Sequence, residues 1–193
     1  LHPAAARALS LAFEQHSVRK RYLALVRGWA PESAEVDHPL RPDDAPPDAP
    51  VQEAHTTLRR LARAEVGASA DPRFATTRVS LVEALPTTGR RHQIRRHLKH
   101  IAHPILGDAT HGKGPLNRWW AERLGLQRLW LHAWQLSLPH PVSGERVEIF
   151  SGVHLPRSEA QGAPPCADHA DKAGQPADLQ AWHRLWATLP WEG

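Results

Sequence analysis

An α+β fold is expected here, with a mixed and largely antiparallel central sheet flanked by helices, and three features of the 193 residues lead to it. Strand-patterned segments follow one another through short connections, as in LWLHAWQLSL–PHPVSGE–RVEIFSGV at 129–153. Helical stripes are few and lie between the strands or at the chain's ends. Strands and helices do not alternate regularly, which disfavours a doubly wound parallel sheet.

The elements follow in chain order. His2–Val18 carries apolar residues at 5, 8, 9, 12 and 13, one face of a helix. In RKRYLALVRGW, Tyr22, Ala24 and Val26 alternate with Leu23, Leu25 and Arg27, a short strand with a basic lead-in that Gly28 closes. Residues 39–50 hold five prolines and three Asp and read as a loop or insertion. AHTTLRRLARAE, 54–65, fits strand or helix by periodicity. Its β-branched pair and the strand-like TTRVSLVEALP at 76–86 favour two strands joined through Gly67–Phe74. From about His92 the period becomes helical, with Ile94, Leu98 and Ile101 in a stripe that His103-Pro104 ends. HPILGDATHGKGPLNRWW reads as loop before the strand at 129–138 and its hairpin partner at 146–153. The Pro/Gly/Ala-rich segment 157–178 reads as a linker, and DLQAWHRLWATL as a last helix with Leu179, Trp182, Leu185, Trp186 and Leu189 on one face. The expected organisation is therefore a domain over 1–156, a linker over 157–178 and a helical tail over 179–193.

Hydrophobic residues are 41% of the chain, enough for a core, and no apolar run approaches the roughly 20 residues of a membrane span. A single cysteine, Cys166, allows no intrachain disulfide and no thiolate metal site, so a reducing cytoplasm is the expected location, without membrane association. The formal charge is +4, but it is not spread evenly. From Leu85 to Arg118 seven Arg or Lys face one acid, Asp108, so net +6 sits in 34 residues and the other 159 sum to −2.

TTGRRHQIRRHLKHIAHPILGD, Thr87–Asp108, is the centre of that charge, and three readings compete for it. Arg95, Arg96 and Lys99 could form a solvated helix face. Such faces usually mix signs, whereas like charges at 91, 95 and 99 repel, so a compensating group is expected from outside the helix. A metal site could draw on His92, His97, His100, His103 and His111, but no acid joins the helix and the His-Glu-x-x-His spacing is absent, so no metal is expected. The chemistry best suits anion binding. Arg90, Arg91, Arg95, Arg96 and Lys99 would face phosphates, the Gly89 turn would lead into a helix N-terminus, and Lys20, Arg21 and Arg27 would extend the surface.

TGRRHQIRRHLKHIAHPILGD also resembles the signature of the RluA-type pseudouridine synthases, and RKRYLALVRG resembles that family's motif around a strand Tyr. FEQHSVRKRYLALVRGW and LQRLWLHAWQLSLPHPVSGE extend the resemblance over about residues 4–155 and narrow it to members that act on tRNA, at uridine sixty-five of the T stem. The resemblance implies a pseudouridine synthase fold, a monomer and chemistry without a cofactor. An aspartate attacks the nucleoside, the glycosidic bond breaks, and the uracil turns and rejoins through C5. The uridine must leave its stack to be reached. Carried over by motif position, Tyr22 is expected to pack against the flipped base and to be the candidate proton acceptor from C5. Arg95 is expected to pair with the catalytic carboxylate and hold it ionised. Ile94 would wall the base pocket, and Arg90, His92 and Gln93 would organise the site and contact RNA; Arg91, Arg96, Lys99, Lys20 and Arg21, assigned by their charge, would bind the same tRNA or another structured RNA. Gly107-Asp108 matches the family and reads as a structural turn.

One motif of the resemblance has no counterpart. The family's nucleophile lies in His-Arg-Leu-Asp-Arg-x-x-Ser-Gly, and none of Asp37, Asp43, Asp44, Asp48, Asp71, Asp108, Asp168, Asp171 or Asp178 has that context. The chain opens at Leu1 and holds no methionine. Both observations fit a sequence that starts downstream of the catalytic motif, and the polypeptide as written is expected to lack isomerase activity and to expose apolar edges. The competing expectation is a non-catalytic RNA-binding paralogue; a weaker one is a metal-dependent enzyme. Choice of substrate is expected to rest on loops such as 39–50 and 112–128.

Overall fold

The computed structural model describes residues 2–46, 48–153, 155 and 177–192. Most of the expected linker, with Cys166, Asp168 and Asp171, lies outside the described residues.

Helix α1 (Pro3–Glu14) opens on a proline, whose missing N–H costs nothing in a first turn. It buries Ala12 with Val18 and Leu138 in a small satellite cluster. Strand β1 (Arg19–Arg27) is central, with β4 (Thr77–Pro86) on one side and β5 (Leu131–Pro139) on the other. Leu23, Ala24, Leu25 and Val26 are all fully buried, so the unbroken apolar run is what a strand covered on both faces requires. The ambiguous stretch at 54–65 is strand β3 (His55–Val66), paired antiparallel with β4. Its even-numbered residues Thr56, Leu58, Ala62, Ala64 and Val66 are buried, and a register shift between Arg60 and Ala62 switches their β4 partners from even to odd residues.

A short strand without a clear sequence signal, β2 (Ser33–Asp37), pairs with β3. The expected hairpin is β5 with β6 (Arg146–Phe150). The sheet order is β2-β3-β4-β1-β5-β6, and β7 (Trp191–Glu192) adds to β3. Every strand pairing among the described residues is antiparallel, and helices complete the α+β architecture.

Helix α2 (Gln93–His100) carries the charged stretch and buries Ile94 and Leu98 in the main core. The loop expected after it is only partly a loop. Gly114–Leu124 forms helix α3, with Pro115 in its first turn, Trp120 buried and Gly125 ending it at φ 64°. The Gly-Pro pair that reads as a breaker is a legitimate helix opening, and the stripe Leu116, Trp120, Leu124 is the signal that the breaker masks. Helix α4 (Ala177–Thr188) places Ala181, Trp182 and Leu185 in the same core as β1, and Leu189 just beyond it joins them.

Candidate active site and nucleic-acid interface

The site begins at the Thr88-Gly89 turn between β4 and α2. Gln93, the first residue of α2, is buried and uses its whole amide. Its Oε1 accepts from the Thr88 hydroxyl at 2.7 Å and the Arg90 N–H at 2.9 Å. Its Nε2 donates to the His55 carbonyl at 2.9 Å and to Thr56 Oγ1 at 3.0 Å. Gln93 therefore clamps the helix start to β3. His92, just before it, takes a left-handed conformation at φ 53°, which turns the chain sharply into the helix.

Arg95 reaches across to Asp108, with Nε to Oδ2 at 2.8 Å and Nη2 to Oδ1 at 2.7 Å, a bidentate pair. The Asp108 carboxylate is fully buried and also accepts the N–H groups of Thr110 and His111 at 2.9 and 2.8 Å. Burial alone would raise its pKa, but the Arg95 guanidinium and the two backbone donors outweigh that and hold it below the usual carboxylate range. Asp108 is thus a turn residue and, in addition, the partner of Arg95. Asn117 of α3 fixes the same turn, accepting from the Gly107 N–H at 2.9 Å and donating to the Asp108 carbonyl at 2.8 Å.

The remaining cations of the stretch divide into occupied and free. Arg90 donates to the Glu53 carbonyl at 3.0 Å. Arg91 pairs with Asp44 and approaches Asp43 at 3.6 Å. His92 Nδ1 lies 2.8 Å from Asp43 Oδ2, and Arg96 Nη1 lies 3.2 Å from Asp43 Oδ1 and 2.6 Å from the Arg41 carbonyl. Lys99 is exposed, with no ionic partner among the described residues. The compensation expected from outside the helix comes from the proline-rich loop at 39–50. Ile94 is 7% exposed and belongs to the core as well as to this face.

Strand β1 brings three more of the expected residues to the neighbourhood of the turn. Lys20 Nζ donates to the Thr88 carbonyl at 2.8 Å, and burial lowers its pKa. Arg21 pairs with the buried Glu83, donates to Gln135 at 2.7 Å and lies over the Trp134 ring at 4.6 Å. Arg59 takes the other Glu83 oxygen at 3.0 Å. Gln135 continues to Glu148 at 2.7 Å, so one polar ladder crosses β3, β4, β1, β5 and β6. Tyr22 follows a register shift between β1 and β5 and packs against the core; burial raises its pKa above the usual phenol value.

The histidines separate into individual structural roles. His97 is fully buried between Thr56 Oγ1 at 2.9 Å and the His38 carbonyl at 3.0 Å, and burial lowers its pKa. His100 stacks on His38 with ring centroids 3.8 Å apart. His103 Nδ1 bonds the Arg27 carbonyl at 2.8 Å. Among the described residues no three His, Cys, Asp or Glu side chains are grouped as metal ligands.

Sequence reasoning missed Asp43 and Glu83 as partners of the cations. Glu83 had a signal, a lone acid inside an apolar strand. Asp43 had none, because its partners on α2 lie about fifty residues away.

The turn, the helix start and the Arg95 clamp assemble from the one continuous stretch Thr87–Asp108. The family model for RNA pseudouridylate synthase matches residues 1–100, and the chain belongs to that family. It is 45% identical over 161 residues to tRNA pseudouridine synthase C of Salmonella typhimurium, covering 77% of this chain and 60% of that protein. It is 43% identical over 148 residues to the protein of the same name from Vibrio cholerae, covering 73% of this chain and 60% of that one. The chain thus spans about 60% of the length of the curated relatives it matches. Among solved structures, human RNA pseudouridylate synthase domain containing 1 superposes with a TM-score of 0.61 at 27% identity, over 78% of this chain and 61% of that one. Human RNA pseudouridylate synthase domain containing 4 shares the fold at a TM-score of 0.59 and 24% identity, over 95% and 68% of the two chains.

Proposed function

We propose that this chain is the substrate-facing part of an enzyme that isomerises uridine to pseudouridine in tRNA, at uridine sixty-five of the T stem, in the cytoplasm. The observation that carries the reading is the Arg95 fork. It is rigidly set by α2 and engages Asp108 through Nε and Nη2. Nη1 has no partner among the described residues, and its N–H groups would hold a second carboxylate, that of the nucleophilic Asp, in its ionised form. The relatives named tRNA pseudouridine synthase C support tRNA as the substrate class.

Tyr22 then packs against the extruded base beside Ile94. Burial raises its pKa further, which disfavours the phenolate a proton acceptor would need and supports the packing role more than proton acceptance from C5. Lys20, Arg90, Arg91, Arg96 and Lys99 would contact phosphates, Arg21 would keep the β1 side of the site in place, and His92 and Gln93 would shape the turn. Chemistry of this kind asks for no cofactor. None of the aspartates has the family's nucleophile context, so the 193 residues alone are expected to be inactive.

The test uses tRNA carrying tritium at C5 of its uridines, because isomerisation releases that tritium to water. The chain alone should bind the tRNA and release none. The same chain preceded by a segment bearing His-Arg-Leu-Asp-Arg should release it, and Arg95→Ala in that longer protein should abolish release. Release absent from the longer protein would refute the enzymatic reading and leave the non-catalytic RNA-binding paralogue.

A further inference from the structure

We propose that Arg91, His92 and Arg96 form a phosphodiester site that the protein's own Asp43 carboxylate occupies in the free state, so that RNA displaces the tip of the 39–50 loop when it binds. The inference rests on the nucleic-acid reading of this face and adds to it an internal competitor. Asp43 touches all three cations, at 3.6, 2.8 and 3.2 Å, and Asp44 adds a second pair to Arg91. A carboxylate and a phosphate present the same kind of paired oxygens to a guanidinium, so the site that accepts one is shaped for the other. With the tip in place, Lys99 is the cation of α2 left without an ionic partner among the described residues.

The loop is built so that its tip can leave while its base stays. At the base, Leu40 is 2% exposed and exchanges backbone hydrogen bonds with Gln52 at 2.8 and 2.9 Å. The His38 carbonyl accepts from His97 on α2 at 3.0 Å. None of these contacts involves Asp43 or Asp44. The tip is held by ion pairs whose cation side chains are 57%, 32% and 22% exposed, while Arg41, before the tip, accepts from Arg96 through its carbonyl at 2.6 Å. Such pairs are individually weak, whereas each phosphate contact also releases condensed counterions from the RNA. Pro42, Pro46 and Pro50 limit the chain's freedom, so an opened tip loses little order and recloses when the RNA leaves.

The experiment is a titration of labelled tRNA, followed by anisotropy, into wild type, Asp43→Asn and Asp48→Asn at one low and one moderate salt concentration. Asp48 lies in the same loop and, among the described residues, touches none of the three cations, so its variant makes the same charge change without freeing the site. Asp43→Asn should bind about three- to tenfold more tightly than Asp48→Asn, the advantage expected from removing the weak, partly exposed ion pairs that Asp43 makes with the three cations. Asp43→Ser should do the same, which guards against a fault peculiar to the first substitution. Affinity for Asp43→Asn equal to or below that of Asp48→Asn, with wild type binding tRNA, would overturn the competitor and leave RNA binding intact. No binding by any of the four proteins at low salt would overturn the nucleic-acid reading, and this inference with it.

Discussion

His97 shows how a single residue of the charged stretch can be structural although Arg91, Lys99 and His100 of the same stretch face solvent. Its ring is fully buried, Nε2 must donate to the His38 carbonyl, and Nδ1 then accepts from Thr56. Protonation would place a buried charge near His38, His100 and Arg96, and the pKa is lowered, chiefly by burial. The unfolded chain titrates near pH 6.5 and the folded one lower, so below about that pH the unfolded state binds the extra proton. This contribution to stability is complete above the unfolded pKa and is lost as pH falls towards the folded value. The thermal midpoint of wild type should therefore drop between pH 7.5 and 5.5. His97→Gln should start lower and show a shallower drop; an unchanged slope would remove His97 as the source.

The connection between α2 and α3 is the element on which the site's geometry depends. It lies against β1 through backbone bonds from Arg27 to Pro104 at 3.0 Å and from Leu106 to Leu25 at 2.9 Å, and it ends at the Asp108 turn. Gly107 has φ 75°, and a Cβ there would sit 1.7 Å from the Arg128 carbonyl oxygen. Backbone would have to move, so Gly107→Ala should cost roughly 3 kcal/mol or more and displace Asp108 from Arg95, read as a lowered denaturant midpoint. Much at this scale was legible in advance. The period of Ile94, Leu98 and Ile101 gave α2, alternation gave β1 and β6, the apolar run at 129–138 gave β5, and the β-branched pair of 54–65 beside the strand-like 76–86 gave β3 and β4. Helix α3 was hidden behind Gly114-Pro115, and β2 is too short and polar to announce itself. The cations of the site were legible because they are consecutive. Their partners were not, since Asp43 and Glu83 meet Arg96 and Arg21 across 53 and 62 residues, distances that only the folded sheet closes.

At the scale of the whole molecule, the last helix is joined to the same core as the central strand. Trp182 is 2% exposed and meets Trp130 edge-on, with centroids 5.3 Å apart. Trp182→Ala should cost about 3–5 kcal/mol, as for other buried aromatic truncations, and lower the midpoint of one cooperative transition. A helix that were only an appendage would leave that midpoint where it was. The two edges of the sheet are built differently. Along β3, β2 covers residues 55–59 and β7 covers 63–64, so that side is tiled by two short segments from distant parts of the chain. On the opposite side β6 has no further strand among the described residues, and Ile149 and Phe150 stand 51% and 61% exposed. Both outer strands, β2 and β6, keep an unpaired side among the described residues, but of the two only β6 also carries large exposed apolar side chains. Two copies meeting along β6 would close that edge in both, while the short, polar β2 of each would stay an edge to which a further strand could add.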